Sequence, residues 1–203
     1  MKHFFQLLFV LLFTLPGFSQ MTSTWTGDKT TSGNTNGLTL ANSKWSQPHS
    51  IVSDANNNIW VSDDNNHCIK LILNGSVYTR VGSQLAPNTP GAFGYTNGFS
   101  SSSKFNMPRG LVCDASNNIY VCDYMNNAIR KIGAFTTIGN SQGVTTLAGA
   151  PETTGFAAKG NVDGTGTNAR FDGPYGICKD NSGNFYVTDE NNHNIRKSLS
   201  LPV

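Results

Sequence analysis

The sequence predicts an all-β fold built from three copies of one antiparallel unit, and three observations lead to this prediction. A proline is followed by aspartates after 6 and 15 positions and by a basic residue after 22 positions, in each copy. Short runs of β-branched and aromatic residues lie between these markers, and Asn- and Gly-rich turn signals separate the runs. Constant internal offsets indicate one supersecondary unit used repeatedly. The markers are Pro48, Asp54, Asp63 and Lys70; Pro108, Asp114, Asp123 and Arg130; and Pro174, Asp180, Asp189 and Arg196.

The first two strands of each unit form a predicted hairpin. In the first unit they cover residues 51–53 and 59–62, on either side of a turn at residues 54–58. This turn needs one residue with a left-handed backbone, which glycine adopts freely and asparagine more readily than most other residues. The residues at that position are Asn57, Asn117 and Gly183.

The third and fourth strands follow in the same order. A second turn leads to the third strand, and the pair Asn74-Gly75 is a two-residue hairpin signal that leads to a fourth strand over residues 77–82. The second unit has its fourth strand at residues 144–149, whereas the third unit shows none. Residues 22–26 precede a glycine in the same frame, so we expect an orphan fourth strand there. The third strands carry Ile69, Ile129 and Ile195.

Long links that share sequence motifs of their own connect the units. Each link contains an Asn-Gly or Asp-Gly pair and ends in a basic-aromatic pair just before the marker proline. Links of more than about 20 residues are uncommon in compact domains and are often functional. Because the same motifs recur in each link, we expect the links to be ordered and their aromatic residues to fill the space between neighbouring units. These aromatic residues are Trp45, Phe105 and Phe171.

Four antiparallel strands joined in chain order are typical of a β-propeller blade. A parallel β-helix is the alternative, but its coils are shorter and lack three hairpin turns per unit. We therefore predict a β-propeller segment of three four-stranded blade units over residues 20–203. Three blades leave two open edges, so the predicted ring is incomplete. The repeat cores lie at about residues 48–82, 108–149 and 174–203.

Residues 1–19 have the pattern of a secretory signal peptide. Lys2 and His3 precede an apolar run over residues 4–15, and small residues at 17 and 19 permit cleavage before Gln20. The run is shorter than the roughly 20 residues that span a bilayer, so a membrane anchor is the weaker alternative. The sequence thus predicts export, to the medium, the periplasm or the cell surface, without membrane insertion.

Charge and cysteine usage exclude some classes of protein. A formal net charge of +2 is too small to indicate binding to nucleic acid or to an anionic membrane. No two of the four cysteines share a place in the repeat, which favours isolated thiols over a disulfide framework, with a single bridge as the alternative. Cys113 and Cys122 lie on the two strands of the first hairpin of the second unit, and we expect them to point to opposite faces of that hairpin. The cysteines are Cys68, Cys113, Cys122 and Cys178.

No catalytic or metal-binding constellation emerges from the motifs. Residues 54–58 resemble the start of a calcium loop, but Ile59 stands where that loop needs glycine and Asn65 where it needs glutamate, so a hairpin turn explains them better. Asp63 and its counterparts occur once per unit at one place, which favours a structural cap or a partner for the basic residue. His67 and His193 are expected to be turn or packing residues. The sequence predicts no cofactor, no catalytic residue and no metal site.

At the second turn and around it, the sequence resembles the NHL-repeat family of β-propellers. The name-giving pair stands as Asn66-His67 and Asn192-His193, with Asn126-Asn127 in the middle unit, and the link text of residues 163–171 resembles the bacterial exported branch. The resemblance implies a propeller scaffold whose members bind proteins, and in some animals RNA, while related propellers include lyases with metal sites. One departure is His49-Ser50, which replaces the expected residue-Gly pair after the proline.

A scaffold by itself does not give a function, so the site must come from residues that vary within the constant frame. The residue after each marker proline differs between units and starts the innermost strand on the face of the long links. We expect these residues to line a binding rim, with the asparagines of the second turn nearby; random drift of surface positions is the alternative. The predicted rim residues are His49, Arg109 and Tyr175, and the asparagines are Asn66, Asn126 and Asn192.

The favoured function is an exported, non-catalytic binding or scaffold module, whose ligand is a protein, a peptide or a glycan. The alternative is a propeller enzyme of the lyase or hydrolase class with a metal at the channel mouth. Two explanations of the incomplete ring remain open at this stage. The sequence is either part of a longer protein whose further blades complete a ring, or two chains form a homodimer in which each N-terminal strand completes the partner's last blade.

Overall fold

The computed structural model of the protein describes residues 22–28, 30–83, 85, 92–134, 143–150 and 158–198, so the predicted signal peptide lies outside the described residues. Eleven strands form three antiparallel sheets over these residues, joined by short 3-10 turns. The first sheet consists of β1 (Pro48–Ser53), β2 (Ile59–Asp63), β3 (Cys68–Leu73) and β4 (Ser76–Gly82). The second consists of β5 (Pro108–Cys113), β6 (Ile119–Asp123), β7 (Ala128–Ile132) and β8 (Val144–Ala148). The third consists of β9 (Pro174–Lys179), β10 (Phe185–Asp189) and β11 (Asn194–Ser198).

The strand order within each sheet confirms the predicted blades. Consecutive strands pair as neighbours throughout, giving the order β1-β2-β3-β4, the same order for β5 to β8, and β9-β10-β11. The innermost strands contact one another, β1 against β5 and β5 against β9, so the blades stack side by side. Within the described residues the three sheets do not close a ring. Among the same residues, no helix has the length and apolar character needed to cross a bilayer.

The predicted turn chemistry is also confirmed. Asn57, Asn117 and Gly183 have φ angles of 61°, 62° and 86°, the left-handed conformation that the first turn requires. Asn74 and Gly75 both have positive φ and join Leu73 to Ser76, as expected for a two-residue hairpin.

The expectation of a strand at residues 22–26 was wrong. None of these residues forms a strand, because a fourth strand exists only against a third strand and none of the described residues lies beside them in that role. The segment nevertheless keeps the backbone signature of its frame. Gly27 has φ +100°, close to the +92° of Gly82, the last residue of β4, and to the +97° of Gly149, which follows β8.

The link aromatics fill the spaces between blades, as expected for two of the three. Phe105 is fully buried in a cluster that joins Trp60 and Leu71 of the first blade to Leu111 and Val121 of the second. Phe171 is buried with Ile129 and Val187, between the second and third blades. Trp45 is only partly buried and packs on the face of the first blade that no described blade covers.

The repeated aspartate of each second strand has the predicted structural role. Asp123, fully buried, accepts hydrogen bonds from the Asn106 N–H at 2.8 Å, from the Asn126 amide at 2.8 Å and from Arg130 at 2.7 Å. Each aspartate thereby ties together the incoming link, the second turn and the third strand. Asp63 with Lys70 and Asp189 with Arg196 repeat the arrangement, with ion-pair distances of 2.8 and 3.2 Å.

The aspartate of the first turn holds the hairpin. Asp54 accepts backbone hydrogen bonds from Asn56 and Asn58, and its second oxygen accepts from the Asn58 amide and from Trp60 Nε1. With both oxygens occupied by the chain's own donors, the carboxylate closes the turn. Burial opposes ionisation here, but these hydrogen bonds lower the pKa of Asp54 below its ordinary value.

The four cysteines are free thiols, as predicted. Cys113 and Cys122 pack in different hydrophobic clusters, which confirms that they point to opposite faces of the hairpin. Burial raises the pKa of Cys113 to about 11 and holds those of Cys68 and Cys122 higher still, so these thiols stay protonated at neutral pH.

Candidate binding site

Each innermost strand is irregular where the predicted rim residue stands. The pairing of β1 with β2 is interrupted between Pro48 and Ser50, and that of β5 with β6 between Pro108 and Leu111. A similar irregularity separates the pairings of β9 and β10. Bulges of this kind bend a strand and re-aim a side chain. The residues at these irregular positions are His49, Arg109 and Tyr175.

Ser50 explains the departure of the first unit from the usual glycine. The Ser50 N–H donates to Ser62 Oγ at 2.9 Å, and the Ser62 hydroxyl donates to the Arg109 carbonyl of the next blade at 2.6 Å. The Ser50 hydroxyl accepts from the Leu111 N–H of that blade at 3.2 Å. The serine therefore adds a hydrogen bond between two innermost strands. At the same position in the second blade, Gly110 leaves no room for a side chain, since a Cβ would lie 2.6 Å from the Tyr175 carbonyl oxygen.

The three predicted rim residues come together in the fold. His49 Nε2 lies 2.8 Å from the Tyr175 hydroxyl, although 126 residues separate them in the chain. Their rings meet edge to face with centroids 4.8 Å apart. The third rim residue, Arg109, joins them: its guanidinium carbon lies 4.7 Å from the centre of the Tyr175 ring. The three blades thus contribute one residue each to a single surface, while the binding role of that surface stays a prediction.

A second set of variable residues, which the sequence analysis missed, completes this surface. Each follows the structural aspartate of its blade, at the start of the second turn: Asp64, Tyr124 and Glu190. The same criterion of variation within a constant frame identifies them in the sequence. Tertiary pairing brings the two sets together, because Pro48, Pro108 and Pro174 pair with the aspartates that precede these turns.

Arg109 is the centre of the surface, held on several sides. Its guanidinium carbon lies 3.5 Å from the centre of the Tyr124 ring, a close cation–π contact. Its Nε donates to Asp64 Oδ2 at 3.1 Å, and its NH1 lies 3.9 Å from Glu190 Oε2. We call His49, Asp64, Arg109, Tyr124, Tyr175 and Glu190 the rim cluster.

The asparagines of the second turn hold their own blades together, and their proximity to a ligand stays a prediction. Each donates to the structural aspartate of its own blade and to a carbonyl of its own link, at 2.7–2.8 Å. Both amide hydrogens are therefore used in holding link and turn together. Asn66 and Asn126 are also buried. The residues concerned are Asn66, Asn126 and Asn192.

The electrostatics of the rim cluster favour a neutral imidazole at its edge. Partial burial is the largest effect that lowers the pKa of His49 below its ordinary 6.5, and the charge of Arg109 lowers it further, against the opposing effect of Asp64. Asp64 is only 3% exposed, and its Oδ1 has no hydrogen-bond partner among the described residues. Arg109 is thus the partner that compensates this buried carboxylate.

We expect His49 to titrate with a midpoint below 6.5 in an NMR titration of its ring C–H resonances. Replacing Arg109 by Gln should raise that midpoint, because a repelling cation is lost while the Asp64 carboxylate remains. Lys179→Gln is the control, because Lys179 lies at the end of β9 opposite to the rim residue Tyr175; this variant should leave the midpoint unchanged. Because the folded state binds fewer protons here than the unfolded state, His49 should reduce stability as the pH falls through 6.5. A midpoint at or above 6.5 in the unmodified protein would contradict this assignment.

The part of the chain that the structure describes contains no cluster of metal-ligating side chains. No three side chains of His, Cys, Asp and Glu approach closely enough there to hold an ion. His67 packs instead as predicted: its Nδ1 accepts from the Met107 N–H at 3.1 Å and its ring contacts Phe93.

A family model matches the blades themselves. The model of the NHL repeat matches residues 46–70, 105–132 and 171–197, which correspond to the core of each blade from its innermost strand to its third strand. The chain belongs to the NHL-repeat family. Curated relatives include human NHL repeat-containing protein 2, which is 29% identical over 142 residues. That alignment covers 68% of this chain and 18% of the relative, so this chain spans less than a fifth of the relative's length.

Solved structures from Bacteroides share the NHL fold. A protein of Bacteroides thetaiotaomicron described as an auxiliary nutrient binding protein is 26% identical, with a TM-score of 0.58 over 79% of this chain and 38% of that protein. A Bacteroides ovatus protein of the same description has a TM-score of 0.62 and 22% identity over 78% of this chain and 38% of its own length, which shows the fold alone. This NHL protein therefore has the architecture of part of a larger propeller of known structure.

Proposed function

We propose that this NHL protein is an exported, non-catalytic binding module that holds a neutral, hydroxyl-rich ligand, such as an oligosaccharide, at the rim cluster. The observation that carries the proposal is the convergence of the six variable residues at one surface, while the constant residues are occupied in holding the blades. The Bacteroides relative described as a nutrient binding protein supports a binding role. The apolar segment before Gln20 supports export.

The donors and acceptors of the rim cluster suit hydroxyl groups, which both donate and accept. Glu190 is about half exposed and offers acceptor oxygens. Arg109 uses its Nε for Asp64, and its terminal nitrogens donate no hydrogen bond to any described residue. The imidazole of His49, exposed at the edge, is neutral at neutral pH because its pKa is lowered. A sugar hydroxyl can bridge such groups without bringing a charge.

Charge argues against an anionic ligand. Two carboxylates, Asp64 and Glu190, surround the single guanidinium of Arg109. A carboxylate or sulfate group that approached Arg109 would meet this excess of negative charge, and like charges across an interface cost affinity. Aromatic rings with a polar edge, here Tyr124 and Tyr175, contribute apolar contact area to a ligand that is otherwise polar.

Replacing Tyr175 by Ala should weaken saccharide binding about tenfold, or about 1.4 kcal/mol, because the substitution removes both the apolar ring face and the hydroxyl that lies 2.8 Å from His49 Nε2. The probe is a microarray of neutral and acidic glycans, followed by titration calorimetry with the best neutral oligosaccharide. Tyr78→Ala is the matched control, because Tyr78 is partly exposed on the outermost strand of the first blade. It should bind like the unmodified protein.

Three results would contradict the proposal. Binding restricted to acidic glycans would overturn the ligand class, and equal losses in the Tyr175 and Tyr78 variants would place the binding surface elsewhere. Binding to no glycan would overturn the saccharide assignment altogether. Arg109 is unsuitable for this test, because its removal leaves the buried Asp64 without a counter-ion and lowers stability as well as affinity.

A further inference from the structure

Arg109 of the rim cluster is held in one orientation from two directions. Its guanidinium carbon lies 3.5 Å from the centre of the Tyr124 ring, so that ring packs against one side of the guanidinium plane. Its Nε donates to Oδ2 of the buried Asp64 at 3.1 Å. These two contacts occupy one face and the inner edge of the group. The outer edge, which carries the terminal nitrogens Nη1 and Nη2, is left for another partner.

The two terminal nitrogens of Arg109 reach the solvent. Neither donates a hydrogen bond to any described residue, and neither belongs to the buried polar atoms that lack a partner there, so both are accessible. The whole side chain is 19% exposed. A guanidinium presents its N–H donors in a rigid planar fork. A group that satisfies both terminal nitrogens at once therefore carries two acceptor oxygens side by side.

The charges around this fork decide which pair of oxygens it accepts. Carboxylates and phosphates are the usual bidentate partners of arginine, but Asp64 and Glu190 already supply two negative charges against the single guanidinium. Two hydroxyls on neighbouring ring carbons of a sugar are a neutral alternative. Their oxygens lie side by side when both are equatorial or when only one is axial, and they point apart when both are axial.

Glu190 provides the acceptor that a hydroxyl at this position needs. A hydroxyl that accepts from Arg109 keeps its own hydrogen and still has to donate it, whereas an ionised carboxylate has none to give. Oε2 of Glu190 lies 3.9 Å from Nη1 of Arg109, too far for a direct hydrogen bond, and the Glu190 side chain is 49% exposed. A hydroxyl bound at Nη1 can therefore donate to this carboxylate.

We infer that Arg109 recognises a vicinal diol, two hydroxyls on neighbouring carbons of a sugar residue, and so determines which neutral saccharides the rim cluster binds. The inference rests on the proposed function, which supplies the saccharide, and adds the part of the saccharide that is bound. Removing either hydroxyl leaves one terminal nitrogen of Arg109 without its acceptor. Because the lost hydrogen bond has a charged donor, removal of either hydroxyl should weaken binding about tenfold or more.

A glycan array with systematic deoxy derivatives tests the inference. It carries neutral disaccharides of glucose, galactose and mannose, each beside derivatives in which one hydroxyl at a time is replaced by hydrogen. The expected result is a pair of adjacent positions at which either replacement weakens binding about tenfold, while replacement elsewhere has a smaller effect. Arg109→Lys retains a positive charge beside Asp64 but lacks the planar fork, so in this variant the two adjacent positions should no longer stand out.

Arg170→Lys is the matched control, because Arg170 lies outside the rim cluster and donates to the carbonyls of Thr167 and Ala169 in its own link. This variant should keep the pattern of the unmodified protein. Tyr124→Leu is a second test: it leaves the pair of Arg109 with Asp64 in place but removes the ring against which the guanidinium packs, and it should also weaken the pattern. Circular dichroism establishes that each variant is folded.

The outcomes separate this inference from the proposed function. Binding to the disaccharides without an adjacent pair of sensitive positions would overturn the inference and leave the proposed function standing. An unchanged pattern in folded Arg109→Lys would do the same. Binding to none of the arrayed saccharides would overturn the proposed function and the inference together.

Discussion

Replacing Arg130 by Met is expected to lower the free energy of unfolding by about 3–5 kcal/mol, the usual cost of breaking a buried ion pair by removing one partner. Arg130 and Asp123 are both fully buried, 2.7 Å apart. Arg130 also donates to the carbonyls of Thr96 and Lys104, and so holds the link before the second blade. Without the guanidinium, the Asp123 carboxylate remains buried without a counter-ion. A domain of this size has a total stability of only about 5–15 kcal/mol.

Arg196→Met in the third blade is the matched control for this prediction. Arg196 pairs with Asp189 in the same frame at the longer distance of 3.2 Å, and its side chain is 12% exposed whereas that of Arg130 is fully buried, so we expect a smaller loss although Asp189 is itself buried. Urea unfolding followed by tryptophan fluorescence measures both variants. A loss below about 1 kcal/mol for Arg130→Met, or equal losses in the two variants, would refute the assigned role of burial.

Replacing Phe105 by Ala is expected to lower the free energy of unfolding by about 3–5 kcal/mol, because it opens a cavity in the cluster of buried residues that the first and second blades share. The Phe105 ring is fully buried and contacts residues of the first and second blades together. The guanidinium of Arg130 lies 5.3 Å from the ring centre, so the substitution also removes an aromatic face from a buried cation. Unlike a residue inside one blade, Phe105 joins two blades.

Phe99→Ala offers the same substitution a few residues earlier in the same link, where the ring is 66% exposed. It should change stability by less than about 0.5 kcal/mol. Thermal unfolding monitored by circular dichroism compares the two variants, and the Phe105 variant should melt well below both the Phe99 variant and the unmodified protein. Similar melting temperatures for the two variants would show that the link aromatic does not hold the blades together.

The sequence by itself determined the unit and its internal order. The strand pairing of β1 to β11, the left-handed turn residues Asn57, Asn117 and Gly183, and the structural role of Asp63, Asp123 and Asp189 all follow from patterns within about 30 residues. Such patterns are reliable because each unit folds through local hairpins, whose register is fixed by turn chemistry and by the alternation of buried and exposed residues.

Only the tertiary structure decided which residues of that frame lie together and which have their hydrogen-bonding groups occupied by the protein itself. His49 meets Tyr175 across 126 residues, and Asp64, Tyr124 and Glu190 lie beside them, because the three innermost strands pack side by side. Asn66, predicted to lie near the ligand, donates its amide hydrogens to the Gly33 carbonyl and to the Asp63 carboxylate. The meeting of the rim residues depends on contacts between units, and the role of Asn66 depends on how its own link folds back onto the turn; no spacing along the sequence encodes either contact.

The same reason explains why identical positions have different environments. Ile69 and Ile195 occupy one place in the repeat, yet the first is fully buried and the second 72% exposed, because only the first has a described blade packed upon it. Residues 22–26 keep the frame of a fourth strand but form none without a third strand beside them. Sequence patterns specify what each blade can bury and pair; burial and pairing themselves require the neighbour, and only the packed structure shows where a neighbour is present.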